Sequence, residues 1–336
     1  MVYVLLVKTM NKIIIENLSL QYSDGTESLR GVSMGIREKA VSVLFGPAGG
    51  GKSTLLRCLN RLNDLTEVKA SSGRILIDGE DILDPKTDVI ALRRKVGMVF
   101  ARPVVLPMSI QQNLTYGLEL AGEKRKSRLD EAVERSLKLA AIWGEVKDRL
   151  DDPAIALSGG QQQRICLARV LALQPEIILL DEPTSGLDPL LRHEFFDIIR
   201  GLTASGTTVI LASHVLTELE ARTDLAAIMR QGRLVAFGDL DRLRLDARLP
   251  VTIHVRGDAR AIAKKLDGRV IKTVRTNGQS IDIDCAADDK MSLLRLLAGF
   301  GEACADVEIR PPSLEDLYLY YSGASALAAG AGGRQR

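Results

Sequence analysis

Several features that would assign a chain to a class at sight are missing here. No uncharged apolar run reaches the roughly 18 residues of a membrane-crossing helix, so the chain is not expected to span a bilayer by itself. The opening VYVLLV meets Lys8 too early to be the core of a signal peptide. The four cysteines, Cys58, Cys166, Cys285 and Cys304, show neither CxxC nor metal-type spacing. That excludes a disulfide framework and leaves reduced, packed thiols of a cytosolic protein. Charge of one sign is also lacking: the net charge is +2 over 336 residues, which argues against nucleic acid as an obligate partner. The basic cluster KRKSR at 124–128 reads as a solvated helix face.

What is present is an ordinary globular composition, 46% hydrophobic and 26% charged, on a chain long enough for two domains. Patterned sequence begins just after Met10, so residues 1–12 read as an extension and Met10 as a candidate start. Residues 13–45 alternate like an antiparallel patch, with turns near Asp24–Gly25 and at Gly35. From Val41 the pattern becomes apolar strands each followed by a helix, the mark of a parallel sheet. A charged, helix-rich stretch at about 105–157 interrupts it, and strand-like runs return at 177–180, 208–212, 225–229 and 234–237. A boundary is expected near 246–250, dividing a first domain at 13–246 from a second at 247–321. The second reads β-α-β-β-α-β, a small α+β ferredoxin-like sandwich with an Asn277–Gly278 turn. A last helix, LEDLYLYY, is expected to start at a capping box of Ser313 and Asp316. The Gly/Ala-rich tail at 322–336 is expected to be disordered.

Two stretches carry chemistry. GPAGGGKST follows the apolar run VSVLF and opens the helix-like LLRCLNRL, which is G-x-x-x-x-G-K-S in the strand–loop–helix context that motif needs. Backbone N–H groups of Gly46 and of Ala48, Gly49, Gly50 and Gly51 through Thr54, in a loop shared with Pro47, which has no N–H, would cradle phosphates, aided by the helix dipole. Lys52 would sit between the β- and γ-phosphates, and the Ser53 hydroxyl would reach Mg²⁺. IILLDEPTSGLDP ends an apolar strand on two carboxylates, costly to bury unless they face a cation or a nucleophile. Asp181 is the expected Mg²⁺ partner through water, and Glu182 the general base for an attacking water. The expected ligands are therefore ATP and Mg²⁺.

With these stands LSGGQQQR at 157–164, ahead of the helix-like RICLARVLAL. Together the three motifs resemble those of the ATPases of ABC transporters, over residues 13 to about 240. The resemblance implies an α/β P-loop NTPase with an antiparallel patch and a helical insertion. It implies two ATPase subunits, alike or different, clamping two ATPs head to tail, peripheral on the cytoplasmic face of the membrane and joined to an integral permease. Ser158, Gly159, Gly160 and Gln161 would then contact the γ-phosphate across the interface. Asp188 would link the two sites, His214 would contact the γ-phosphate and hold the water with Glu182, and Tyr22 would stack on adenine, with plain packing as the alternative. The long coiled coil or fused second ATPase domain of soluble repair and translation ATPases is missing.

The branch of the family reads differently in two halves. Residues 55–169, with PMSIQQNLTYG and LSGGQQQRICLAR, resemble the ATPase subunits of phosphate importers. Residues 213–322 resemble exporter-type ATPases, including the copper-linked ones of nitrous oxide reductase maturation. In this family the membrane subunit docks on the helical insertion, the importer-like half, so phosphate-type import is expected. An exporter-type or copper-maturation role, and an ATP-binding regulator with weak turnover, are the alternatives. The strand KVGMVF ends on Ala101, where the family normally has a glutamine that reaches Mg²⁺ and water. Arg102 has only donors and cannot replace it. ATP binding is expected to survive this loss, with weaker coupling to transport.

Overall fold

The protein is described as a computed structural model covering residues 11–185, 187–213, 223–266, 274–276 and 279–323. It divides into two compact units between Phe237 and Gly238.

In the first unit, continuous apolar runs become central strands buried on both faces, as parallel strands must be. β3 (Val41–Phe45), β7 (Ile177–Asp181) and β8 (Thr208–Ser213) are buried at every position. With β6 (Val96–Val99), β9 (Leu225–Arg230) and β10 (Arg233–Gly238) they form a sheet ordered β10-β9-β3-β8-β7-β6. β9, β3, β8, β7 and β6 all run parallel. A second, antiparallel sheet is ordered β2-β1-β4-β5, from β1 (Asn11–Tyr22), β2 (Glu27–Arg37), β4 (Val68–Ile77) and β5 (Glu80–Asp81).

Gly35 is not a turn, as its sequence context suggests, but lies inside β2 opposite Ile14. A Cβ there would come within 2.4 Å of the Asn11 side chain, so the glycine answers a close approach across the ladder.

Helix α1 (Lys52–Leu59) buries Leu55, Leu56 and Leu59 completely in one core with Ile13, Ile15 and Val32 of the antiparallel sheet and Leu44, Leu179 and Ile210 of the parallel one. Each buried leucine contributes roughly 1.5–3 kcal/mol, which fixes the start of α1 against both sheets. α2 (Val89–Lys95) leads into β6. The insertion consists of α3 (Ile110–Leu120), α4 (Lys126–Leu139) and the short α5 (Trp143–Val146), with α3 and α4 packed on α6 (Gly159–Ala172). α7 (Pro189–Ala204) packs on β8.

The second unit begins with α8 (Leu240–Ala247), ahead of the boundary read from the sequence. The reason is tertiary: α8 packs on α11 (Leu314–Tyr321), where Tyr321 Oη donates to Leu243 O at 3.0 Å and Arg244 Nε to Pro312 O at 2.9 Å. Its antiparallel sheet, ordered β12-β13-β11-β14, comprises β11 (Val251–Gly257), β12 (Val274–Thr276), β13 (Ser280–Cys285) and β14 (Cys304–Arg310). Ile253, Val255, Ile281 and Ile283 alternate onto one face and bury against α9 (Ala259–Leu266) and α10 (Lys290–Ala298). Ser313 caps α11 reciprocally with Asp316, as its spacing predicts. Most of the strand expected at 270–274, the Asn277–Gly278 turn, residues 1–10 and most of the expected disordered tail (324–336) lie outside the described residues.

Candidate functional site

The loop between β3 and α1 is held by two glycines that nothing else can replace. Gly46 has φ +147°, and a Cβ on it would stand 2.0 Å from Met229 O. Gly51 has φ +97°, and its Cβ would stand 2.5 Å from Ser28 O. Positive φ and lack of space coincide at both, so the loop backbone is pressed between β9 and β2. Pro47, Ala48 and Gly49 between them are exposed, which leaves a run of main chain facing outward at a helix N-terminus.

At the head of α1, Lys52 is buried. Its Nζ donates to Gly46 O at 2.8 Å and Pro47 O at 3.1 Å and stands 4.0 Å from Glu182 Oε1. Burial pulls its ammonium below the ordinary lysine value, against the opposing charges of Glu182 and Asp181. The next residue turns to the parallel sheet: Ser53 Oγ donates to Asp181 Oδ1 at 2.8 Å. Asp181 closes β7 and is 6% exposed. Glu182 then adopts φ +48° while its N–H donates to Ala212 O of β8 at 2.9 Å. A left-handed glutamate stores of order 1–3 kcal/mol, held by that bond to the neighbouring strand. Parallel pairing of β3, β8 and β7 thus brings Lys52, Ser53, Asp181 and Glu182 together across 130 residues of sequence.

The donors suit the ligands expected from the sequence. A hydroxyl and a carboxylate 2.8 Å apart are hard oxygen ligands of the kind Mg²⁺ takes. A strand–glycine loop–helix with outward main chain and a buried ammonium suits phosphate oxygens.

The remaining expected residues fall into three groups. Tyr22 packs at the edge of the core, and its hydroxyl bonds Thr54 Oγ1 and Asn63 Oδ1, both at 3.1 Å. Thr54 Oγ1 also bonds Ser28 Oγ at 2.7 Å, so the Thr54 side chain is taken up inside the protein. Ser28 and Asn63 were not legible as site neighbours, since nothing local in their sequence marks them.

Ser158 caps α6 in a capping box with Gln161, whose amide also donates to Glu145 Oε2 at 2.8 Å. Ser158 and Gly159 are exposed, and neither Ser158 nor Gln161 bonds the phosphate-type loop of the same chain. Gly160 backs onto Leu191, where a Cβ would sit 3.0 Å from its side chain. Asp188 caps α7, accepting from Leu191 N at 3.0 Å. His214 lies outside the described residues. Ala101 follows β6 with a methyl group only, and the carbonyl before it, Phe100 O, accepts from Gln163 Nε2 at 3.2 Å.

Comparison with known proteins agrees on one family. The ABC transporter family profile matches residues 29–185. The phosphate import ATP-binding protein PstB of Shewanella denitrificans is 49% identical over 229 residues, covering 68% of this chain and 84% of that protein. PstB 1 of Enterococcus faecalis is 44% identical over 240 residues, 71% of this chain and 95% of that one. Among solved structures, cbiO1 of Clostridium perfringens, part of the ABC transporter complex cbiONQ, superposes with TM-score 0.62 at 28% identity, covering 78% of this chain and 96% of that chain. The ATP-binding cassette MJ0796, a dimer bound to ADP and phosphate, superposes with TM-score 0.60 at 26% identity over 68% and 98% of the two chains.

Proposed function

Since the chain belongs to the ABC transporter family of ATP-binding subunits, we propose that it hydrolyses ATP as a peripheral subunit on the cytoplasmic face of a membrane and powers phosphate import through a separate permease. The observation that carries the ATPase reading is the convergence of Lys52, Ser53, Asp181 and Glu182 on the exposed loop between β3 and α1.

The mechanism follows from what each group is free to do. Main-chain N–H groups of residues 48–54 hold the β- and γ-phosphates at the positive end of α1. Lys52 gives up its contacts with Gly46 O and Pro47 O and turns its ammonium to the phosphates. Ser53 and Asp181, already paired at 2.8 Å, would hold Mg²⁺, which neutralises charge building on the transferred phosphoryl group. Glu182 orients the attacking water and takes its proton. The capped, exposed turn at Ser158–Gly160 offers its N–H groups to the γ-phosphate bound by a second subunit. That requires dimerisation, since in its own chain this turn is bonded elsewhere. Asp188 and His214 take the linking and switch roles that the resemblance assigns them.

The cargo assignment is supported by relatives 44–49% identical whose names specify phosphate import. It is tested by reconstituting the chain with a phosphate-type permease in proteoliposomes. ATP-dependent uptake of labelled phosphate is expected. ATP turnover without phosphate movement would leave ATPase activity standing and remove the cargo, favouring the exporter-type alternative carried by residues 213–322.

A further inference from the structure

The loop that leaves β6 is fastened to the helix behind the Ser158–Gly160 turn, and the fastening does not use residue 101. Gln163, Cys166 and Arg169 follow one another at three-residue intervals along α6 and so share one face. Gln163 is 2% exposed and donates to Phe100 O at 3.2 Å. The Cys166 thiol accepts a long contact from Arg169 Nη2 at 3.9 Å. Arg169 donates through Nη2 to Val104 O at 2.9 Å and through Nη1 to Asn113 Oδ1 at 3.4 Å. Asn113, fully buried, accepts from Leu106 N at 2.8 Å and donates to Ser109 O at 2.9 Å.

The far end of the loop is stitched to the segment that leads into Ser158. Ala154 N donates to Met108 O at 3.0 Å, and Ile110 N donates to Asp152 O at 3.0 Å. On the loop side, through residues 100–110, these bonds end on main chain, so the grip is indifferent to the loop's side chains.

Gln163 carries the clearest mark of purpose. Its Oε1 is buried without a hydrogen-bond partner among the described residues. A half-satisfied buried amide is a poorer core residue than an apolar side chain. Packing therefore does not account for glutamine here, whereas its single bond onto the strand tip does.

We propose that Gln163 and Arg169 are positioning residues for ATP hydrolysis. They make residues 100–109 and α6 one moving piece, so that the strand tip beside the phosphate site and the Ser158–Gly160 turn change position together. In a chain with Ala101 this seam, rather than a side chain at 101, carries the connection between the site and the loop. The proposal rests on the ATPase reading given above.

The test uses the full chain with Gln163→Leu and, as a second variant, Arg169→Lys, which keeps the charge but loses the two-pronged donor. Steady-state ATPase, binding of a fluorescent ATP analogue, melting temperature and amide exchange at residues 101–106 are measured on each. We expect kcat to fall about tenfold with KM and ATP affinity within about twofold, faster exchange at 101–106, and no loss of melting temperature for Gln163→Leu. Normal kcat and normal exchange in both variants would overturn the seam alone. So would a fall in kcat matched by lost melting temperature and lost ATP affinity, which marks a merely structural role. Wild-type protein whose turnover is absent or indifferent to Lys52→Ala would overturn the ATPase reading itself, and the positioning role with it.

Discussion

Alanine at three loop glycines should separate steric necessity from mere conformational preference. Gly46, Gly49 and Gly51 have φ of +147°, +72° and +97°, so each substitution costs on the order of 1–2 kcal/mol in the left-handed region. Their surroundings differ. A Cβ on Gly49 meets nothing within 4 Å, whereas on Gly46 it falls 2.0 Å from Met229 O and 3.1 Å from Met229 C. Both of those atoms are backbone, so no rotamer change can relieve the contact, and β9 or the loop must retreat by about 1 Å. Overpacking of that kind adds about 1–3 kcal/mol, giving a total of about 2–5 kcal/mol for Gly46→Ala against about 1–2 for Gly49→Ala. Gly51→Ala, 2.5 Å from Ser28 O, should fall between them. Urea unfolding of the three variants, followed by a probe in the first unit, measures the order. ATP binding measured on the same samples should be lost in Gly46→Ala, because the retreat displaces the phosphate cradle. Equal destabilisation by Gly46→Ala and Gly49→Ala would refute the reasoning, since only the clash distinguishes them.

Other outcomes are expected from the same geometry. Tyr22→Phe should cost about 1–2 kcal/mol in urea unfolding, because it strands the Asn63 carbonyl that the hydroxyl now serves; a Tyr22 that only stacks on a ligand would show no change in the free protein. Burial holds the Lys52 pKa below its ordinary 10.5, so the unfolded chain keeps that proton to higher pH than the folded one. Stability should therefore rise as pH climbs towards that ordinary value, and Lys52→Met should flatten that rise in pH-dependent thermal melts. Burial pushes the Cys58 thiol up to about 12, so a maleimide near pH 8 should label the half-exposed Cys304 and spare Cys58, as peptide mapping would show. Ala101→Gln should raise permease-stimulated ATPase, and no change in a reconstituted transporter would count against a coupling role at that position.

How much of this was legible in the sequence depends on whether the causes were local. The loop from Gly46 to Thr54 and the pair Asp181–Glu182 could be read directly, because each is a contiguous motif on an apolar strand. Their meeting required parallel pairing of β3, β8 and β7, which alternation of strand and helix already implied. The capping box at Ser313 was legible for the same reason, as it spans four residues. Gly35 misled, since a glycine demanded by the Asn11 side chain across the ladder looks like a turn in one dimension. The boundary moved forward because α8 belongs to α11, some 70 residues further on. The Tyr22–Thr54–Asn63 and Gln163–Phe100 contacts span 32 to 63 residues and leave no periodic trace.

The central claim is that Lys52, Ser53, Asp181 and Glu182 form one hydrolytic site, and Glu182→Gln tests it most directly. The substitution keeps shape and hydrogen-bonding capacity but removes the base. Mg²⁺-dependent ATPase of the purified chain should fall by at least about a hundredfold, while ATP stays bound and the protein runs as a dimer in size-exclusion chromatography with ATP. Turnover equal to that of the unaltered chain would contradict the account.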